Sequence, residues 1–387
     1  MIPYGKQSID QDDIDSVVRA LRSPKITQGP LIDGFEAKLA HQCGARYAVA
    51  VSTGTAALHL AALALGLKKG DEVLTTPISF LATSNAALYV GAKPVFCDVD
   101  YATANISVLC LQKLIARSRI KAIFPVHFGG LPCDMPSIHK LAQKRDLFVV
   151  EDACHALGAR YKSNGSWFKV GSCAHSDMAV FSFHPVKHIT TGEGGAITTN
   201  SRKLYEKLLS LRSHGVVRTP ALSRRMGPWY YAMTDLGFNY RLTDIQAALG
   251  ISQLQKLDAF VKRRREIAAL YDQAFKKLSG VQTPLDLKDR INVYHLYPLR
   301  IDFKQIGLSR TEFMSKLQNL GVGSQVHYIP IYTQPYYRRL GYRSNCPEAE
   351  HYYADTLSLP IFFEMTHREV HKVIQVVKGL LAGALEV

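Results

Sequence analysis

The sequence predicts an α/β protein: a mainly parallel central sheet with helices on both faces, followed by a smaller C-terminal α/β domain. Three observations predict it. Short apolar, β-branched runs recur through the first half without polar alternation, as strands buried on both faces do. Helical patterns separate those runs, the signature of βαβ units. The character then changes near residue 245, where a long helical stretch begins.

Each element can be justified in order. Ser8 and Gln11 are spaced for a capping box, and Ile14, Val17, Val18 and Leu21 fall on one helical face. "SPKITQGP" is a loop marked by Pro24, Gly29 and Pro30. A second helix carries Phe35 and Leu39 and stops at Gly44. Strands are predicted at 47–51, 73–76, 94–99, 122–128, 147–152, 178–183 and 196–199. Helices are predicted between them at 55–66, 81–91, 109–118 and 135–145. The long helical stretch runs to about 278, followed by a strand near 295–301, a helix capped by Ser309 and Glu312, and a last helix capped by Thr366 and Glu369. The expected division is an arm and helix over 1–30, a large domain over 31–245, and a linking helix with the small domain over 246–387.

Composition narrows the function. The 387 residues are 47% hydrophobic and 20% charged, as in a globular protein with a sizeable core. "MIPYGKQSIDQDD" shows no signal peptide, and "AALHLAALALGL" is too short to span a membrane, so the reading is cytoplasmic with no membrane partner. Seven cysteines without CxxC spacing argue against disulfides and a cysteine zinc site, so no metal is expected. A net charge of +15 suits nucleic acid, anionic lipid or an acidic small substrate. "KRRRE" at 262–266 reads as a solvated helix face. "YYRRLGYR" at 336–343 interleaves tyrosine with arginine, but no nucleic-acid motif accompanies it, and no nucleic-acid partner is expected.

In open α/β sheets, ligands sit at the carboxyl ends of the strands. After the first strand comes "STGTAALHL", where Gly54 and Thr55 open a helix: an anion site or a plain cap. Asp152 follows four apolar residues, as a carboxylate that needs a partner or caps the next turn. Asp152 and His155 also suggest acid–base work or half of a metal site, with no further ligands at useful spacing. In "FSFHPVKHITTGEGGAI", Lys187 stands among aromatic and β-branched residues, either as a solvated strand end or as an amine in a packed pocket. Ser182 and Phe80 also lie at strand ends. A phosphate site, a carboxylate, an aromatic ring and a lysine together suit pyridoxal phosphate.

The stretches "TQGP", "STGTAAL", "TTPISFLATSNA", "EDACHALGA", "FSFHPVKHITTGEGGAI", "RSHG", "LGFNYRLTDIQAALG" and "QVHYIPIY" carry a resemblance over nearly the whole chain. The sequence resembles the fold-type I pyridoxal-phosphate enzymes, and within them the sugar aminotransferases of the DegT/DnrJ/EryC1/StrS family. "TTPISF", "SFHPVKHITTGEGGA" and "QVHYIPIY" are most similar to the branch that aminates C4 of a UDP-linked 4-keto-6-deoxy-N-acetylhexosamine for pseudaminic acid. The resemblance implies that Lys187 forms the Schiff base and Asp152 pairs with the pyridine nitrogen. It implies Phe80 stacked on the ring, His155 near the ring hydroxyl, and Gly54, Thr55 and Ser182 on the phosphate. Asn239 would reach the neighbouring subunit's phosphate, which implies a homodimer. Tyr4, Lys25, Thr27, His327 and Tyr328 would lie near the nucleotide sugar.

That resemblance implies L-glutamate as amino donor and Lys187 as the group that moves the proton. The amine must then be neutral, against an ordinary pKa of about 10.4. Two alternatives stand beside it. One is a nucleotide-sugar 3-dehydratase of the same family, whose members replace the lysine with histidine. The other is a non-catalytic regulator on the same fold, which would be expected to lose Lys187 or Asp152.

Overall fold

The computed structural model describes residues 1–116, 119–343 and 345–383. Its main sheet is built from β1 (Tyr47–Val51), β2 (Glu72–Thr75), β3 (Lys93–Phe96), β4 (Ile120–Phe124) and β5 (Phe148–Asp152). A hairpin of β6 (Arg160–Ser163) and β7 (Ser166–Lys169) forms separately against Arg290–Ile291. The main sheet resumes with β8 (Met178–Ser182) and β9 (Gly195–Thr199), in the order β1-β9-β8-β5-β4-β2-β3. Neighbours from β8 through β3 pair in parallel, whereas β9 runs antiparallel to both β1 and β8.

The apolar runs follow from burial on both faces. Ala48 and Ala50 of β1 enter one core while Val49 and Val51 enter another, and Ala179 and Phe181 alternate likewise with Met178 and Val180 of β8. Phe35 and Leu39 from helix Pro30–Cys43 cover the first face, and Leu58 and Leu60 from helix Gly54–Ala64 cover the second. Gly44 ends the former helix at φ +75°.

The 32-residue helix Asp244–Phe275 is capped by Thr243 and Gln246. Its first part packs Ala247, Leu257 and Phe260 onto the main sheet. Its second part gives Ile267, Ala268, Tyr271 and Phe275 to a further core with Leu299, Leu357 and Val373. That core also takes Ile2 from the amino-terminal segment. Tyr297–Ile301 pairs there with Thr356–Leu359, and the caps Ser309/Glu312 and Thr366/Glu369 form as the sequence predicts.

The mainly parallel sheet carries one antiparallel strand, β9, because the chain turns back directly from β8 instead of crossing over through a helix. Several expectations are corrected. β4 stops at Phe124, since Pro125 has no N–H for the ladder. The first helix begins at Gln11 with Asp10 and Asp13 as its capping box, and Asp10 also pairs with Lys256. Ser8 instead gives its carbonyl to Gln253. Of the predicted apolar face on that helix, Ile14 and Leu21 are exposed. Within "KRRRE", Arg264 is 3% exposed and donates to the carbonyls of Tyr294, His295 and Ile361. Tyr337 of "YYRRLGYR" is likewise a core residue, its hydroxyl bonded to Ser84 and Asn85.

Candidate active site

The parallel strands bring β1, β2, β5 and β8 to one carboxyl edge. Asp152 ends β5, and strand alternation separates it from Glu151. Glu151 turns to the opposite side, where Ser176 donates to it at 2.5 Å and His127 at 2.8 Å. The Cys133 N–H donates to Nδ1 of His127, so His127 meets Glu151 through an Nε2 proton. Asp152 is 5% exposed. Its Oδ2 accepts the Thr83 hydroxyl at 2.6 Å and its Oδ1 accepts the Cys154 N–H at 3.2 Å. Two neutral donors hold the carboxylate in place and leave it as the acidic group of the edge.

Helix Gly54–Ala64 starts beside it. Thr53 caps this helix by accepting the Ala56 N–H at 3.0 Å, and the Ala57 N–H reaches the Thr53 carbonyl. The Gly54 and Thr55 amides precede the first intrahelical bond and stay available to an anion. Packing is too close for side chains here. A Cβ on Gly54 would lie 2.8 Å from Ser182 Cβ, and one on Gly195 would lie 2.4 Å from the Thr53 carbonyl oxygen. Ser182 therefore sits against the helix start, accepting the His184 N–H at 3.4 Å.

Lys187 lies on the return between β8 and β9. Phe183 N–H donates to the Gly194 carbonyl, Thr191 N–H to the Phe183 carbonyl, and Lys187 N–H to the His184 carbonyl. The Lys187 amine is 3.3 Å from Nε2 of His295. Burial holds this amine below the ordinary lysine range, Arg264 pushes the same way, and Cys154 and Asp152 oppose. Of the two sequence readings, the packed pocket is the one the fold adopts.

Histidines crowd the amine. The rings of His155 and His295 are 4.4 Å apart, and His188 donates to the Val293 carbonyl from 5.8 Å behind His295. Nδ1 of His155 and Nδ1 of His295 are buried without a protein partner among the described residues. The Tyr328 hydroxyl meets Nε2 of His155 at 3.2 Å, and His327 Nδ1 meets the Ser358 hydroxyl at 2.8 Å. Burial brings His188 and His327 down to about 3 and holds His155 and His295 well below the usual histidine range. A cis peptide joins His327 to Tyr328.

Most of the predicted residues thus converge. Tyr4 joins them through a ring contact to His327 at 5.7 Å, and Phe80, 59% exposed, lies 6.4 Å from the Tyr328 ring. Lys25 and Thr27 are exposed on the 22–30 segment, where Thr27 bridges Thr243. Asn239 is exposed and its backbone bridges Ser213. The fold joins none of these three to the cluster within one chain. Sequence reasoning missed Thr83, Cys154, Arg264 and His295. Thr83 stands in the quoted "TTPISFLATSNA", whereas "NVYHLY" around His295 carries no local signal. Among the described residues no group of three or more His, Cys, Asp or Glu is placed to hold a metal ion. None of the described helices is long and apolar enough to cross a membrane.

The donor set fits one cofactor. A part-buried lysine amine shifted toward neutrality, a buried carboxylate, an open helix start and the orphaned Nδ1 of His155 suit the aldehyde, ring nitrogen, phosphate and ring hydroxyl of pyridoxal phosphate. Fold and site together define a pyridoxal-phosphate enzyme of fold-type I architecture. The profile of the DegT/DnrJ/EryC1/StrS aminotransferase family matches residues 7–378. UDP-4-amino-4,6-dideoxy-N-acetyl-beta-L-altrosamine transaminase of Campylobacter jejuni is 40% identical, over 100% of this chain and 98% of its own. Helicobacter pylori PseC, an aminotransferase of pseudaminic acid biosynthesis, superposes with a TM-score of 0.90 at 34% identity over 99% of each chain. The PLP-form of the sugar aminotransferase Spr1654 from Streptococcus pneumoniae gives 0.90 at 28% identity over the full length of both. The chain belongs to the DegT/DnrJ/EryC1/StrS aminotransferase family.

Proposed function

We propose that the protein transfers the amino group of L-glutamate to C4 of a UDP-linked 4-keto-6-deoxy-N-acetylhexosamine, as a cytoplasmic homodimer. The transamination rests on the convergence of the Lys187 amine, the Asp152 carboxylate and the open helix start at Gly54 on one sheet edge. The choice of sugar is supported by the full-length likeness to the Campylobacter transaminase. The surplus of 47 basic over 32 acidic residues favours a nucleotide sugar without selecting one.

When bound, pyridoxal phosphate supplies an aldehyde that condenses with amines and a ring that accepts an electron pair from the adjacent carbon. Lys187 would hold the aldehyde carbon and, once displaced by the donor, take and return protons at the reacting carbons. Burial lowers its hold on the proton, which favours the neutral form this role requires. Asp152 would accept the ring N–H, with Thr83 fixing its orientation. The Gly54 and Thr55 amides, the Thr55 hydroxyl and the Ser182 hydroxyl would hold the phosphate, completed by Asn239 of the partner subunit. Phe80 would cover a ring face and His155 would meet the ring hydroxyl. Tyr4, Lys25, Thr27, His327 and Tyr328 would hold the nucleotide sugar, with residues 1–30 as an arm, 31–245 as the cofactor domain and 246–387 as the smaller domain.

The test is incubation with L-glutamate and the UDP-4-keto sugar, with products read by mass and NMR. An amine replacing the C4 oxygen is expected. A product that has lost water instead would establish a 3-dehydratase. Mixing two inactive variants, Lys187→Ala and Asn239→Ala, should restore activity if sites are shared between subunits, and should leave it at zero if they are not.

A further inference from the structure

The Lys187 amine points at a residue for which the proposed function has no use. Nε2 of His295 lies 3.3 Å from Nζ, and this is the hydrogen bond the amine makes among the described residues. His295 is 5% exposed and comes from a segment 108 residues away in sequence. It approaches on the short stretch between Asn292 and Tyr297, whose peptide carbonyls at Tyr294 and His295 are gripped by Arg264. Arg264 is thus a positive charge fixed to the backbone of His295, and its three bonds are to carbonyls, with no carboxylate among them.

The groups facing His295 from every side are Lys187, His155, His188 and Arg264. None is an acid, so nothing nearby rewards a proton on this imidazole, and burial opposes it. A neutral imidazole can accept at one nitrogen. With its proton on Nδ1, His295 presents the acceptor Nε2 to the amine. An amine that donates one N–H to Nε2 has its lone pair directed elsewhere.

We propose that His295 is a positioning residue for transamination: it receives one N–H of the freed Lys187 amine and so aims the lone pair at the carbon whose proton is moved. The Lys187 lone pair would take the proton from the donor's Cα and later return it, while the cofactor, when bound, would supply the sink for the electron pair left behind. His295 neither gains nor loses a proton in either direction. This rests on Lys187 being the residue bonded to the cofactor.

The test compares wild type with His295→Phe and His295→Leu, which remove the acceptor, and His295→Gln, which keeps one. Three readouts are taken on holoenzyme and on cofactor-stripped protein. With α-deuterated L-glutamate, the isotope effect on kcat should rise in the Phe and Leu variants, with kcat down tenfold or more and KM for glutamate within threefold. Recapture of added pyridoxal phosphate by stripped protein, followed by absorbance, should slow at least fivefold. His295→Gln should recover most of both losses. Whichever deletion variant keeps a wild-type unfolding temperature carries the comparison. All three readouts within twofold of wild type in that variant would overturn the inference, as would a Gln variant no better than Phe or Leu. Borohydride reduction and peptide mass spectrometry, run in parallel, locate the cofactor. Attachment at a lysine other than Lys187 would overturn the functional reading itself, a failure distinct from that of His295.

Discussion

Two parts of this molecule treat the same kind of task differently. At the carboxyl edge of the sheet, Asp152, Lys187, His155 and His295 are packed and oriented by one chain. Around the 22–30 and 214–239 segments, polar and aromatic residues stand in the open, with Trp229 74% and Leu236 77% exposed beside Arg218, Arg224 and Arg225. The first region spends packing on holding reactive groups in place before any ligand arrives. The second keeps its apolar surface uncovered within one chain. On the proposed function, the chemistry would be built into the sheet, and recognition of a particular substrate would fall to segments left open in one chain.

Substitutions can break this contrast. Lys187→Ala should lower kcat by about 10⁴-fold or more, because it removes both the covalent attachment and the proton carrier. Steady-state assays of product amine, with the lost cofactor absorbance as a control, decide it; activity within tenfold of wild type would remove Lys187 from its role. Asp152→Asn should cost roughly 10²–10³-fold in kcat, the scale of one preorganised electrostatic contact. The cofactor should still attach to Lys187, as seen by borohydride trapping, and near-normal turnover would end the carboxylate's assignment.

The next prediction concerns acid. His188 and His327 lie at about 3 in the fold against an ordinary 6.5, so between those values the unfolded chain binds protons that the folded one refuses. Stability is therefore fully present above pH 6.5 and is lost as pH falls toward 3, by about 1.4 kcal/mol per pH unit for each histidine. His327→Gln, which can still bond Ser358, should flatten that slope in thermal unfolding between pH 7 and 4. An unchanged slope would mean that His327 is solvated. The smallest effect is expected at the open region. Trp229→Ala should raise KM for the nucleotide sugar about threefold to tenfold, the worth of one aromatic contact, while the glutamate half-reaction stays unchanged. A fall in the glutamate half-reaction would show that the two regions are not separable.

Much of the sheet and its edge was legible in the sequence, for a physical reason. Strands buried on both faces are mostly apolar, so the runs at 47–51 and 178–183 stand out, and the carboxylate that ends such a run at Asp152 stands out with them. Lys187 was ambiguous until the whole chain was considered, because a lysine beside aromatic residues is compatible with solvent as well as with a pocket. The direction of β9 was not legible: GAITT pairs equally well either way, and only the length of the connection to β8 decides. His295 was hidden because proximity to Lys187 arises from the packing of residues 108 positions apart. Arg264 was misread for a related reason. Its partners are backbone carbonyls, and carbonyls leave no trace in the side-chain pattern. Asn239, Lys25 and Thr27 stand exposed in one chain, away from the cluster, so their proposed roles are not legible from the packing of that chain.

The return from β8 to β9 has a consequence for motion. Ser182 and Gly195 are opposite each other in the ladder, so the intervening loop is tied at both ends to neighbouring strands of the same sheet. Internal bonds at Phe183, Thr191 and Lys187 fasten it further. In the proposed reaction, the travel of the lysine nitrogen would come from rotation about the bonds of its own side chain. Four methylenes on a fixed anchor form a leash, short in reach and able to reset without a hinge.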